Sequence, residues 1–239
     1  MADAQDLGSC PERGGGSNPS MPILNKKSKG RFLSFQWTQD FAYAIGLLTA
    51  DGNLSSDGRH IEFCSKDIEN VVHFQRCLNV GTKISLKKRG TPPLRLYHRT
   101  QIGDVALYRF LQRIGLRPKK SRTLGSIMIP EAVFPDFLRG LWDGDGGFTT
   151  FRHPESRRLQ WKARISSGSP IFLQWLQGVI EEMYGFSGKT YLANRVHQLV
   201  YHKGNALRLL TVMYYQPHLV CLTRKRAQAE LLSKTHYEI

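Results

Sequence analysis

Two stretches of the sequence end in the same dipeptide, an aspartate followed by a glycine, at Asp51 and at Asp145. Each aspartate follows an apolar run that carries an internal glycine, Gly46 or Gly140, five positions earlier. Carboxylate oxygens are preferred ligands of hard divalent cations such as Mg²⁺, and a bound cation activates water against a phosphate ester. The repeated acid therefore indicates two equivalent chemical sites.

The apolar runs predict two helices that contact each other closely. A glycine inside a helix costs about 1 kcal/mol relative to alanine, so a repeated internal glycine needs a reason. Small residues spaced four positions apart form a stripe that lets two helix backbones approach. The stripes consist of Ala42, Gly46 and Ala50 in the first helix and of Gly140 and Gly144 in the second. We therefore expect Gly46 and Gly140 to lie at a helix interface.

Packing of the two helices would bring Asp51 beside Asp145, which is electrostatically unfavourable. A carboxylate at a helix C-terminus faces the negative end of the helix dipole, at a cost of roughly 0.3–1 kcal/mol, and the two acids also repel each other. A divalent cation between them relieves both problems. A single Asp-Gly favours an ordinary helix-ending turn. Two copies with the same spacing favour a metal site.

The composition indicates an anionic partner. The 239 residues include 34 Lys and Arg against 19 Asp and Glu, a formal charge of +15 that nucleic acid would neutralise. The longest apolar run, over residues 41–50, is shorter than the roughly 20 residues of a membrane-spanning helix. The N-terminus lacks the features of a signal peptide, and the four cysteines form no Cys-x-x-Cys pair. We expect an intracellular protein that is neither secreted nor membrane-bound.

The sequence beyond residue 30 has the pattern of an internal duplication. Residues 94–98 resemble residues 198–202, and we predict an N-terminal half over 31–125 and a C-terminal half over 126–239. Residues 1–30 are rich in glycine and carry few large apolar side chains. That composition predicts a disordered tail or a linker.

Residues 158–165 alternate between polar and apolar types, which predicts a half-buried antiparallel strand with a basic outer face. In the first half, polar positions such as Lys87 and Arg95 alternate with three leucines that we expect to face the core. These leucines are Leu86, Leu94 and Leu96. The predicted helices after the first motif run over 68–78, 105–114, 171–184 and 206–214. Each half is therefore predicted to be an α+β unit, with its sheet covered by helices on one side and basic on the other.

The second stretch, residues 138–146, closely resembles the consensus motif of the LAGLIDADG homing endonucleases. The first stretch keeps the glycine and the final Ala50-Asp51-Gly52, but has Thr49 where the consensus has its first aspartate. The family does not use that position for metal. The resemblance extends over nearly all of residues 31–239. It implies one monomeric chain with a pseudo-two-fold, duplicated αββαββα fold, whose antiparallel sheets form a DNA-binding saddle.

The resemblance also implies an activity, namely metal-dependent cleavage of both DNA strands at a long asymmetric target, leaving 3′ overhangs. Such targets usually lie in alleles that lack the intron or intein encoding the enzyme. Asp51 and Asp145 would bind Mg²⁺, with Mn²⁺ or Ca²⁺ as other occupants, and the carbonyls of Ala50 and Gly144 would be further ligands. A lysine lies near each scissile phosphate in the family. The matching positions are Lys120 and Lys225, with Lys119 and Arg224 as neighbouring alternatives.

The basic strand faces are interpreted as DNA contacts, against the alternative that they are only solvated charge. Arginine and glutamine suit base edges, whereas lysines suit phosphates. The candidates in the first half are Lys83, Lys87, Arg89, Arg95 and Arg99, with Lys88 beside them. Those in the second half are Arg158, Gln160, Lys162, Arg164, Lys189, Arg195 and Lys203.

Two other functions remain open at this point. One is an RNA maturase that assists splicing of an intron, because a basic surface also suits RNA. The other is a non-catalytic DNA-binding regulator on the same scaffold. Loss of one of the two metal acids would favour either of these, and both Asp51 and Asp145 are present. The sequence therefore favours cleavage, and double-stranded DNA is the expected partner, with intron RNA as the alternative.

Overall fold

The computed structural model describes residues 35–90, 93–152, 155, 159–193 and 196–237. Seven helices carry the labels α1 to α7 in chain order. They are Gln39–Asp51, Ile68–Cys77, Val105–Arg113, Phe134–Asp145, Pro170–Tyr184, Lys203–Met213 and Thr223–Tyr237. Eight strands carry the labels β1 to β8. They are Gly52–Leu54, His60–Ser65, Ser85–Arg89, Arg95–Gly103, Gly146–Arg152, Leu159–Ser167, Lys189–Ala193 and Val196–His202.

The strands form two antiparallel four-stranded sheets with the same topology. The first sheet has the order β1-β2-β4-β3 and the second has the order β5-β6-β8-β7. Each sheet follows one of the motif helices, α1 or α4, and is interrupted by one helix between its two hairpins. The predicted duplicated α+β fold is confirmed. The boundaries at residues 30 and 125 stay predictions.

The central helix α1 is buried on nearly all sides, from Phe41 to Thr49. It begins where the Thr38 hydroxyl accepts a hydrogen bond from the Phe41 N–H at 3.1 Å, which satisfies one of the free amides of the first turn. A helix that is apolar all round belongs in the middle of a protein. One continuous hydrophobic core accordingly surrounds α1 and α4 and includes residues of both sheets.

Each motif helix passes directly into a strand at its terminal glycine. A Cβ atom on Gly52 would collide with the Leu48 carbonyl, and one on Gly146 would collide with the Trp142 ring. Both glycines have ordinary extended backbone angles. Glycine is therefore required here for space, because the chain folds back over the last helical turn. This corner holds Asp51 and Asp145 at the junction of helix and sheet.

The four predicted later helices are present, and their ends shift by up to three residues, the largest shift being at the start of α6. No helix among the described residues is long and apolar enough to cross a membrane. The alternation predicted on β6 is also present. Trp161, Ala163 and Ile165 are buried, whereas Lys162 and Arg164 are more exposed.

The prediction that three leucines of the first half face the core was wrong. Leu86 is 63% exposed and Leu96 is 55% exposed, and Leu94 is similarly open. The alternation itself holds, because Leu86 pairs with His98 on the face opposite to Lys87. The helices, however, cover only the far end of β4, where Thr100 and Ile102 are buried. The β3–β4 hairpin extends beyond them.

Candidate active site

Two reciprocal glycine contacts bring α1 and α4 together. A Cβ on Gly46 would collide with the Phe137 carbonyl oxygen, and a Cβ on Gly140 would collide with the Tyr43 carbonyl oxygen. Only glycine allows this approach of two helix backbones. The sequence stripe of small residues thus corresponds to the line along which the two helices touch.

The same contact continues to the ends of the helices. A Cβ on Gly144 would collide with the Ala50 side chain and would lie 3.6 Å from Asp51 Oδ2. The Asp51 carboxylate therefore lies beside the residue that precedes Asp145. The two acids end adjacent helices and share one site.

The carboxylate of Asp51 opposes ionisation of Asp145 at this site. Asp145 keeps solvent-accessible surface, yet partial desolvation in the cleft raises its pKa to about 7, and repulsion by Asp51 adds to the shift. The positive charges of Lys120 and Lys225 act to lower the pKa of Asp145. Ionisation of Asp145 is thus opposed at neutral pH. A bound cation would relieve that opposition.

Lys120 lies against the end of α1. It opens a short 3-10 turn, Lys120–Arg122, and only 6% of its surface is exposed. Its Nζ donates to the Ala50 carbonyl at 3.4 Å, a long hydrogen bond. Burial lowers the pKa of the Lys120 ammonium to about 8, while the charges of Asp145 and Asp51 oppose that shift.

Lys225 lies against the end of α4 and is held more firmly. Its Nζ donates to the carbonyls of Trp142, Asp143 and Gly146 at 2.6, 2.8 and 2.7 Å, and lies 3.5 Å from the Gly144 carbonyl. An ammonium has three N–H groups, so all of them are used. The charge neutralises the negative end of the α4 dipole. Burial lowers the pKa of Lys225 to about 8.

The two alternative basic positions point elsewhere. Lys119 is exposed and adopts a left-handed backbone conformation with φ 55°. Arg224 is largely exposed and forms an ion pair with Asp67, with Nη2 to Oδ2 at 2.7 Å. The geometry therefore favours Lys120 and Lys225 as the lysines of the site.

The donor set of the site fits Mg²⁺. Two carboxylates, Asp51 and Asp145, converge there, and the carbonyls of Ala50 and Gly144 accept the long lysine contacts described above. Magnesium is commonly bound by one or two carboxylates, with water and phosphate oxygens completing its octahedron. No cluster of three or more Asp, Glu, His or Cys side chains occurs among the described residues. Further ligands must therefore be carbonyls, water or substrate.

Asp143 has a structural role that the sequence did not reveal. It is buried, and its Oδ2 accepts hydrogen bonds from the Tyr43 hydroxyl at 2.8 Å and from the Leu222 N–H at 2.7 Å. The hydroxyl of the equivalent residue in the first motif, Thr49, donates instead to the Ile45 carbonyl of its own helix at 2.7 Å. The departure from the consensus at Thr49 was the one available sign that these positions differ.

On the first sheet, the face away from the helices carries a cluster of basic residues around one acid. Glu62 accepts from Lys87 Nζ at 2.7 Å and from Arg99 Nη1 at 3.5 Å, and Arg99 Nε donates to the Ser85 hydroxyl at 3.3 Å. Arg95 shares this face through its register with Lys87 and Arg99. Lys88 is on the opposite face, and Lys83 is exposed just before β3. The Arg89 side chain lies outside the described residues.

On the second sheet, Gln160, Lys162 and Arg164 share the corresponding face. Lys189 lies in the same row as Arg164, because both pair with Val200. Lys162 is also positioned over the Phe151 ring, 5.5 Å from its centroid. Lys203 is the first residue of α6 rather than a strand residue. Arg158, Arg195 and residues 1–30 lie outside the described residues.

Comparison with known proteins shows the fold. No protein-family model matches the chain, and no curated protein matches it. Among solved structures, the homing endonuclease I-WcaI bound to its DNA recognition sequence superposes with a TM-score of 0.58 at 12% identity, over 81% of this chain and 88% of that one. The LAGLIDADG homing endonuclease I-GzeII in complex with its DNA target gives a TM-score of 0.52 at 12% identity, over 82% and 89%.

A third similar structure is full-length DUF199/WhiA from Thermatoga maritima, with a TM-score of 0.54 at 13% identity. The match covers 85% of this chain and 63% of that one, so the chain spans less than two thirds of that protein. At such identities the likeness establishes the fold alone.

Proposed function

We propose that this chain, which has the fold of the LAGLIDADG homing endonucleases, is a site-specific DNA endonuclease that requires a divalent metal. One observation carries the proposal: two acids end a pair of touching helices side by side, next to two buried lysines. The acids are Asp51 and Asp145, and the lysines are Lys120 and Lys225. Acids and cations in one cleft suit a phosphodiester substrate.

The chemistry divides between the metal and the chain. When bound, Mg²⁺ supplies an activated water and stabilises charge on the attacking and leaving oxygens. The carboxylates of Asp51 and Asp145 would hold it, and the carbonyls of Ala50 and Gly144 would be further ligands. Mn²⁺ or Ca²⁺ would bind to the same oxygen ligands.

The two lysines would act electrostatically on the phosphates. The hydrogen bond from Lys120 to the Ala50 carbonyl is long, so its ammonium can turn towards a phosphate oxygen. Lys225 is fixed on the end of α4 and would act from there as a nearby positive charge. Charges held in place before the reaction stabilise the transition state without reorganisation.

The basic faces of the two sheets would bind the DNA duplex on either side of the cleft. They carry different side chains, Lys87 and Arg99 on one sheet and Lys162 and Arg164 on the other. A single chain with two unlike basic faces suits a long asymmetric target, which the protein would bind as a monomer. The superposing structures of I-WcaI and I-GzeII are DNA complexes, which supports this mode of binding. Cleavage of both strands with 3′ overhangs is the proposed reaction.

The decisive test uses a plasmid library with a randomised target region and Mg²⁺. Linear products identify the site, and the variants Asp51→Asn and Asp145→Asn are then assayed on it beside Glu182→Gln, an exposed acid on α5. Each active-site variant should lose at least about 100-fold in cleavage, the scale expected for a central electrostatic group, while binding persists. Full cutting by Asp145→Asn would overturn the metal assignment. Sequence-specific binding by a wild type that never cuts would indicate a DNA-binding regulator instead.

A further inference from the structure

The first turn of α7, which contains Lys225, is held by carboxylates of the first half of the chain. Glu69 Oε1 accepts from the Thr223 N–H at 3.1 Å and from the Thr223 hydroxyl at 2.5 Å. Asp67 accepts both ends of the Arg224 guanidinium, at 3.2 and 2.7 Å. More than 150 residues of sequence separate the partners of each contact.

Asp67 makes its contact with Arg224 instead of capping its own helix. Asp67 occupies the N-cap position of α2, where its side chain would ordinarily accept from the amides of that helix, yet it makes no such bond. Glu69, in the first turn of α2, likewise accepts from Thr223. Local capping is therefore given up in favour of a contact between the halves.

A third carboxylate holds the same turn from inside. Asp143 accepts from the Leu222 N–H at 2.7 Å, and the Asn70 side-chain amide donates to the Asp143 carbonyl at 3.3 Å. The start of α7 thus directs two backbone amides, of Leu222 and Thr223, at carboxylates. Negative charge at a helix N-terminus is favourable because the free amides form the positive end of the dipole.

These contacts fix the position of Lys225, which lies in the same helical turn as Thr223. Its Nζ donates to the carbonyls of Trp142 and Asp143 in the last turn of α4 and to the carbonyl of Gly146, the residue after Asp145. A continuous path therefore runs from Glu69 through the start of α7 to the end of α4. The first half of the chain therefore contributes contacts to the helical turn that carries the lysine of the second half.

The other lysine is held by a different kind of contact. The segment that follows Lys120 packs on the start of α5, where the Ser169 hydroxyl donates to the Leu124 carbonyl at 2.6 Å. A Cβ on Gly168 would lie 2.5 Å from the Ser121 carbonyl. Each lysine segment is thus held at the start of a helix of the opposite half. The contacts at Lys225 are charged, and those at Lys120 are neutral.

We propose that Glu69, supported by Asp67, is a positioning residue for Lys225, through which the first half of the chain controls cleavage at the second catalytic position. This inference rests on the proposed nuclease function. It assigns a role to two acids that lie outside the metal cleft.

The activity test follows a supercoiled plasmid carrying the selected site, at saturating protein, through its nicked form to its linear form. Glu69→Ala should leave the first nick within twofold of wild type and slow linearisation about tenfold, the loss that a shift of roughly 1.4 kcal/mol in the barrier produces. Lys225→Met should give the same pattern. Glu69→Gln keeps an acceptor for Thr223 and should recover part of the rate, and Glu182→Ala on α5 should match wild type. Equal slowing of both steps, or none, would overturn the proposal.

A second readout is independent of cleavage. Competitive acylation of lysines, mapped by mass spectrometry on the DNA-free protein, measures how accessible each ammonium is. Lys225, 4% exposed, should be protected in the wild type and become reactive in Glu69→Ala, while Lys120 stays protected in both. Unchanged protection of Lys225 would refute the positioning role even if the wild type proved not to be a nuclease. Absence of cleavage by the wild type would count against the nuclease function alone.

Discussion

The Tyr43 hydroxyl donates a 2.8 Å hydrogen bond to Asp143 Oδ2, and this bond joins the two central helices α1 and α4 inside the core. Both side chains are almost fully buried. Among the described residues, Oδ1 of the same carboxylate has no hydrogen-bond partner. The Tyr43 hydroxyl is therefore one of the two donors, with the Leu222 N–H, that the buried Asp143 carboxylate has among the described residues.

Tyr43→Phe should lower the free energy of unfolding by about 1–3 kcal/mol, because a buried acceptor loses one of its donors. Urea denaturation measures this directly, and the exposed Tyr191→Phe on β7 is the matched control, expected to change stability by less than about 0.5 kcal/mol. Equal effects of the two substitutions would mean that the buried bond contributes nothing.

Gly46→Ala should destabilise the protein by several kcal/mol, since the added methyl would meet the backbone of α4 and neither helix can retreat without opening the core. The control is Gly178→Ala on α5, where a Cβ would have open space around it. Removing a helical glycine there should stabilise by about 0.5–1 kcal/mol. Thermal unfolding of the two variants should therefore shift in opposite directions, and a shared direction would contradict the interface.

Asp145→Asn should stabilise the metal-free protein at pH 8, in EDTA, by roughly 1 kcal/mol after allowance for the solvent that still reaches the side chain. The pKa of Asp145 is raised to about 7 by desolvation and by Asp51. The native state therefore holds a proton that the unfolded state releases near its ordinary pKa of 3.8, and stability falls as pH rises between these values. At pH 3 the variant and the wild type should unfold alike. A variant less stable than wild type at pH 8 would show that the ionised Asp145 carboxylate does not destabilise the metal-free protein.

Glu62→Gln should increase the affinity for DNA of random sequence and steepen its dependence on salt. Glu62 is only 13% exposed at its side chain and forms ion pairs with Lys87 and Arg99, so it competes with DNA phosphates for these two cations. Freeing two cations should raise the slope of log K against log salt by up to about 2, given roughly 0.9 per phosphate contact. Fluorescence anisotropy over a salt series measures the slope, with Glu182→Gln as the charge-matched control. An unchanged slope would show that the two cations already contact DNA in the wild type.

Asp67→Asn should lower stability at neutral pH, and this loss should become smaller in acid. The hydrogen bond from Arg224 lowers the pKa of Asp67 below its ordinary 3.8. Its contribution is therefore complete above pH 3.8 and is lost as pH falls through the lowered value. Melting temperatures of variant and wild type should differ at pH 7 and pH 5, and the difference should shrink as pH falls progressively below 3.8. A constant difference would assign the effect to packing rather than to charge.

The spacing of residue types along the sequence was sufficient to predict those parts of the fold whose pattern repeats within a few residues. The strip of small residues at Gly46 and Gly140, the alternation on β6 and the four later helices all follow from spacing along one element. The exposed leucines of the β3–β4 hairpin do not, because alternation gives the face of a strand but not how far the helices extend over it.

The parts of the candidate site that could not be predicted from the sequence are contacts between distant segments. Glu69 with Thr223, and Tyr43 with Asp143, join residues that are 154 and 100 positions apart. Nothing in the neighbourhood of Glu69 distinguishes it from an ordinary first-turn acid of α2. The position of the partner depends on how the halves pack, which no single element encodes.

The reciprocal contacts at the two lysine segments have a consequence for recombination. A chimera that joined residues 35–125 to the second half of a foreign protein would carry Lys120 but lose Gly168 and Ser169, on which the segment after Lys120 packs. The converse chimera would carry Lys225 without Asp67 and Glu69. The unit that can be inherited or exchanged intact is therefore not a half of the chain, but a half together with the helix start that its partner supplies.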